Sequence, residues 1–314
     1  MTRYLTGRFA QAVLVLWAAY SVSFILLQLL PGDAILIKFQ NPDLGLSAAQ
    51  IQEMRVVYGE STPIWQQYLT TLGNMLRGEF GYSVEAGVSV SQLIAANLPS
   101  TLRLAGLGFA AAIVLAVAIS AASTLAPLRW LRTLFANLPA LFVAVPTFWL
   151  GIALIQLFSF QWRLIPVINP GFWQGLILPV ATLAVPISAP LAQLLMRNID
   201  QVLTQPYVSV ARAKGGSRAG VLWRHVARNA ILPVLTVAGL LLGELIAGAL
   251  ITETVFGLNG LGQLTQRAVN NQDVAVLQAV VMISALSFVV INLLVDLIYP
   301  LLDPRLQSVR GATA

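Results

Sequence analysis

Six runs of mostly apolar residues, each long enough to cross a bilayer as a helix, constrain this chain more than any other feature. A helix needs about 20 apolar residues to traverse the hydrocarbon core. The runs fall at about 9–30, 100–125, 134–159, 176–198, 230–254 and 276–302. Of 314 residues, 58% are hydrophobic and 10% charged, whereas a soluble domain carries about 25% charged residues. A soluble fold of this size could not hide so much apolar surface, so lipid must serve as its solvent. The fold class read here is an all-α membrane protein.

The first run follows Arg3 and Arg8 and is stopped by Pro31-Gly32. It is longer than the apolar region of a secretory signal, and no small-residue cleavage site follows it. An uncleaved first span is therefore expected. Residues 31–97 are more polar. Ser47 with Gln50 has the form of a capping box, and Ile51, Met54 and Tyr58 follow at helical spacing. Pro63 suits the first turn of a second helix, in which Trp65, Leu69, Leu72 and Leu76 form one face. Residues 78–83 read as a turn, and a short amphipathic helix near 89–97 leads to Pro99. These pieces form a small helical insert packed on the membrane surface. Gly, Ala and Ser within the spans allow close helix contact in lipid. Pro139, Pro146, Pro179, Pro186 and Pro190 predict kinked or broken helices.

Charge placement sets the orientation. With both termini cytoplasmic, twelve of the 18 Lys and Arg residues lie on that side. The other six are spread over much more loop, where 31–97 also carries six acidic residues. The positive-inside rule favours N-in, C-in with six spans. Cys is absent and His225 is the one histidine. Disulfides, thiolate chemistry and Cys-based metal sites are excluded, and a His-based triad has almost no material. A net charge of +6 is too small and scattered to indicate nucleic acid.

The densest chemistry lies between the fourth and fifth spans, from Tyr207 to Pro233. This loop is basic, hence expected in the cytoplasm. Ser209, Ala211, Ala213, Gly215 and Gly216 are small and permit a tight approach to another surface. After Gly220 a short amphipathic helix would gather Leu222, Trp223, Val226 and Ala227, with Arg218, Arg224 and Arg228 on the wetter side. Two readings compete: a loop that hugs anionic headgroups, and a helix that docks into a protein groove.

The wording of this loop resembles the coupling loop of ABC importer permeases, in the form used by the dipeptide, oligopeptide and nickel family. Ala211-Arg212-Ala213-Lys214-Gly215, then Arg224-His225 with Arg228-Asn229, then Leu232-Pro233 carry the likeness. It extends over nearly the whole chain: Leu29 to Asp33, Leu98 to Ala105, Val145 to Gly151, Leu178-Pro179, Glu253 to Gly257, Gly260 to Gly262, Leu294 to Tyr299 and Leu302 to Arg305. One departure is Ser209, where the generic motif opens with Glu.

The resemblance implies a type I importer fold with six spans and a periplasmic insert. Its parts would be 1–30 (cytoplasmic N-terminus and first span), 31–97 (insert), 98–302 (permease core, with a coupling loop at 204–229) and 303–314 (cytoplasmic tail). It implies a multi-pass protein of the bacterial inner membrane. A second homologous permease would pair with it as a heterodimer. Two cytosolic ATP-binding subunits and an extracytoplasmic solute-binding protein would complete the system. Peptides come first as cargo, with nickel or metal chelates as the other group. The chain would be a transport subunit and not an enzyme. It has no Gly-x-x-x-x-Gly-Lys-[Ser/Thr] phosphate loop, so no cofactor is expected on it. ATP and Mg²⁺ would be used by the partner subunits.

The residues assigned to ATPase coupling are Ala211, Arg212, Ala213, Lys214, Gly215, Leu222, Trp223, Arg224, His225 and Arg228. A bulky residue at Gly215, or reversed charge at Arg224 and Arg228, should uncouple transport. Glu244 sits in the fifth apolar run. A carboxylate at that depth faces a cavity or a partner, so it is either a pathway residue or a structural carboxyl at a subunit interface. Its surroundings, Gly243 to Gly248, resemble nickel-type permeases. Asp296 reads as a structural partner, Arg103 as a side chain snorkelling to the interface, and Trp149, Trp162 and Trp173 as an aromatic belt. A secondary transporter would also use a buried carboxylate, but no internal repeat is visible. A membrane enzyme would need a His-Glu-x-x-His, Gly-x-Ser-x-Gly or paired intramembrane Asp, none of which occurs.

Overall fold

The computed structural model describes residues 2–28, 63–168 and 170–302. The Ser47–Gln50 capping box, the 29–33 motif and the 303–314 tail lie outside the described residues, as does the side chain of Asp296. The described residues are helical apart from turns and one isolated bridge, Tyr82 with Ser89. The chain divides into two compact units, residues 1–102 with 257–289 and residues 103–256 with 290–314.

In the first unit, α1 (Thr2–Gln28) carries the first span. Helix α2 (Ile64–Leu76) starts after Pro63, as its fixed φ favours. It packs on α1 through Tyr68. The Tyr20 hydroxyl donates to the Tyr68 carbonyl at 2.7 Å, and the Tyr68 ring lies against Tyr20 and Phe24. Of the expected apolar face, Trp65, Leu69 and Leu76 are exposed and Leu72 is half-buried. Gly78 and Gly81 both take positive φ in the predicted 78–83 turn. The rest of this unit comprises the start of α3 (Val90–Leu125), α11 (Leu261–Asn270) and the beginning of α12 (Val274–Leu302). Asp273 caps α12, accepting from the Val276 N–H at 3.4 Å. It also accepts from the Ser83 hydroxyl at 2.6 Å and the Glu85 N–H at 3.3 Å, and both Asp273 and Ser83 are buried. Thr101 accepts from the Leu261 N–H at 2.9 Å.

The second unit holds most of α3, then α4 (Arg129–Ala144), α5 (Thr147–Leu154) with a π-helical extension (Ile155–Gln161), and α6 (Gln174–Leu203). Next come α7 (Pro206–Ala213), α8 (Arg218–Val221), a π-helical turn (Leu222–Val226), α9 (Ala227–Ala230) and α10 (Leu232–Phe256). Its core joins Ala116 and Ile119 of α3 to Leu191, Ala192, Leu195 and Ile199 of α6. Small residues set the helix contacts, as lipid packing requires. A β-carbon at Gly108 would lie 3.0 Å from Leu183 Cβ, and one at Gly239 would run into the Val295 side chain.

One expectation needs correction, and one is sharpened. The amphipathic segment at 89–97 and the second span are one 36-residue helix, α3, with Pro99 in its interior. A proline forfeits one backbone bond there without ending the helix. The third run is a bent pair: α4 and the 147–161 arm turn by 105°. The bend falls where Val145 is extended at φ −93° and ψ 119° before Pro146, the conformation a following proline imposes. Pro139, Pro179, Pro186 and Pro190 stay inside helices. Among the described residues, five helices are thus long and apolar enough to span alone, or six spans with the bent pair counted as one.

Candidate functional site

The basic loop is a folded element with a dry side and a wet side. Its dry side is built from Val208 on α7 and Val221, Leu222, Val226 and Ala230 on the 218–230 segment, all buried against the α3–α6 core. The spacing of 222, 226 and 230 returns one face every four residues. Two amides reinforce it. Asn198 on α6 donates to the Ala230 carbonyl at 3.0 Å, and Asn229 donates to the Tyr207 hydroxyl at 2.9 Å, tying α9 to α7.

The corner between α7 and α8 depends on two glycines for different reasons. The Gly216 N–H bonds to the Ala211 carbonyl at 3.2 Å, and the Gly215 N–H to Arg212 at 3.0 Å. This pairing, with Gly215 at φ +84°, is a Schellman ending. Gly215 has open space where a β-carbon would go, so its constraint is backbone conformation. Gly216 has no such space: a β-carbon there would lie 2.9 Å from the Ala211 oxygen and 2.9 Å from Val221 Cγ2. Ser217 then caps α8, its hydroxyl accepting from the Gly220 N–H at 3.1 Å.

The wet side carries Arg212, Ala213, Lys214, Gly215, Arg218, Arg224, His225 and Arg228 in the open, with Ala211 half-buried. Leu222 is buried, as expected. Trp223 was expected beside it but is 52% exposed, among the arginines. Val221 takes the inward position, so the apolar stripe is set one residue earlier and Trp223 turns outward. The sequence reading did not single out Val208, Val221 or Ala230, although their spacing carried the signal. Nor did it place Asn198 or Asn229 as ties.

Glu244 stands away from this loop, on α10. It is exposed on the described chain, in a stripe with Leu240, Ala247 and Ile251. Gly243, Leu245 and Ile246 turn inward beside it. The fully buried carboxylate of α10 is Glu253, which the sequence reading quoted only as part of a motif. Arg103 is exposed, with its guanidinium 4.9 Å from the centroid of the Phe172 ring, a cation–π contact more specific than snorkelling. Trp149, Trp162 and Trp173 are exposed. No cluster of three metal-ligating side chains occurs among the described residues.

Residues 108–308 match the family described as binding-protein-dependent transport system inner membrane component. The chain belongs to that family. A putative peptide transport system permease protein of Brucella abortus is 35% identical over 316 residues, covering 98% of this chain and 99% of the relative. The oligopeptide transport system permease protein AppB of Bacillus subtilis is 33% identical, covering 98% of this chain and 100% of the relative. A solved structure described as an amino acid ABC transporter with histidines shares the fold with a TM-score of 0.52, at 18% identity. The alignment covers 67% of this chain and 94% of that one. This permease is therefore a multi-pass inner-membrane component of an ABC importer. The ion-driven secondary transporter is set aside by family membership.

Proposed function

We propose that this permease forms half of a peptide pathway and receives work from cytosolic ATPase subunits through the wet face of 206–230. A homologous permease supplies the other half, and a solute-binding protein delivers cargo from outside. ATP and Mg²⁺ act on the ATPase subunits. Both termini lie in the cytoplasm, on the side of the basic loop, as its charge favours. The reading of peptides rests on the names carried by the relatives from Brucella abortus and Bacillus subtilis.

One observation carries this proposal: the loop buries its aliphatic side chains and leaves Trp223, Arg224, His225 and Arg228 outward. An aromatic anchor ringed by arginines is the composition of a protein-docking hot spot. A loop that served only as a headgroup tether would not need a fixed Schellman corner and two amide ties. Glu244 belongs to the same account. A carboxylate in an apolar stripe is costly toward lipid, so the Leu240–Ile251 stripe faces the pathway and the second permease.

The test uses proteoliposomes holding the assembled importer. Arg224→Glu with Arg228→Glu should abolish vanadate-sensitive peptide uptake and reduce co-purification of the ATPase. The chain itself should insert at the normal level. Undiminished uptake and co-purification would refute the assignment. Uptake that stops only when an ion gradient is collapsed would refute the ATP-driven reading as a whole.

A further inference from the structure

A second polar site sits at the loop end of the helix bundle. The final turns of α6, the end of α3 and the first turns of α4 line an open cavity of about 520 Å³. Thr124, Arg132, Thr133, Gln193, Arg197 and Asp200 give it its chemistry. Its depth follows from sequence. Residues 174–196 of α6 contain no charge, and Arg197 and Asp200 are the first charged groups after them. At 1.5 Å per residue that uncharged stretch is about 34 Å long, enough to fill the hydrocarbon core. Arg197 and Asp200 therefore lie at headgroup level.

The cavity carries both signs of charge. The Arg132 Nε donates to the Ala126 carbonyl at 2.6 Å. This bond fixes the guanidinium and leaves its terminal nitrogens as a fork for an oxyanion. Arg197 adds a second cation, and Thr124 and Thr133 add hydroxyl donors. Asp200 adds one carboxylate, which a purely anionic ligand would not favour. Exposed Trp130, Leu134 and Leu141 occupy another face of α4. Apolar chains could lie along that face while a polar head enters the cavity.

We propose that this cavity binds the zwitterionic headgroup of an aminophospholipid, with the phosphate on Arg132 and Arg197 and the primary ammonium on Asp200. Two guanidiniums and one carboxylate match one phosphate and one ammonium in sign and in hydrogen-bonding capacity. A phosphocholine head has no N–H for Asp200, and a phosphoglycerol head has no cation. The assignment does not depend on the ATPase-docking reading of the loop.

The test is native mass spectrometry of the delipidated full chain, titrated with ethanolamine, glycerol and choline phospholipids of identical acyl chains. The ethanolamine lipid should bind about fivefold more tightly than the choline lipid, the size of one hydrogen bond to Asp200 that the choline head cannot make. Asp200→Asn should erase that preference while retaining the glycerol lipid. Arg132→Gln should weaken ethanolamine and glycerol lipids together. Equal binding of ethanolamine and choline lipids by the unaltered chain would overturn the proposal. So would displacement of the lipid by a soluble dipeptide, which would make the cavity a cargo site.

Discussion

The corner at 211–217 and the tie at Asp273 are both turns between helices, yet they are fastened by opposite means. The corner, in the second unit, is held by aliphatic side chains beneath it and by backbone bonds closed at two glycines. Its charged groups all face out. The tie, in the first unit, is held by a buried carboxylate that gathers a hydroxyl and two backbone N–H groups. A surface proposed to meet another protein keeps its polar groups outward, so its own fold has to come from apolar contact and backbone geometry. A segment under no such demand can bury its polar groups against one another, and a buried carboxylate is then expensive to remove.

The comparison can be broken first at the tie. Asp273→Ala leaves the Ser83 hydroxyl and two amides without their acceptor. It should lower stability by about 3 kcal/mol, read as a drop in the thermal midpoint in detergent. Asp273→Asn keeps an acceptor and should lose about 1 kcal/mol. At the corner, Gly216→Val forces a side chain against the Ala211 oxygen and Val221. That should cost about 2 kcal/mol of stability, and uptake should fall with it. Gly215→Ala meets no atoms and strains only the backbone, so about 1 kcal/mol is expected. Uptake should survive Gly215→Ala better than Gly216→Val, which reverses the emphasis the sequence alone gave to Gly215. Last and smallest, Arg224→Glu should change stability by less than about 0.5 kcal/mol. A larger shift would mean that the wet face also supports the fold.

What the sequence made legible follows from how each feature is encoded. The spans were readable because lipid demands long uncharged runs. The loop was readable because its small and basic residues are contiguous. The side that Trp223 faces was not, since a helix with Val221, Leu222, Trp223 and Val226 offers two overlapping apolar stripes. Only packing on α3 and α6 chooses between them. The bend at Pro146 was foreseen among five prolines, but the four others kept their helices, because neighbours can compensate a lost N–H. The Asp273 tie was invisible: its partner Ser83 is 190 residues away in the chain, and no local pattern records such a pairing. Glu244 was conspicuous for its apolar neighbours, whereas Glu253 passed unremarked close to the end of its helix.

One junction in the second unit has a mechanical meaning. Between α9, ending at Ala230, and α10, starting at Leu232, only Ile231 is not helical. The segment that bears Trp223 and the helix that bears Glu244 are thus joined by a single residue, at which the chain bends. On the docking role proposed above, displacement of the former is passed to the latter along one short stretch of backbone. Lengthening it by a few glycines would insert slack, and the fraction of each stroke lost should grow with every residue added.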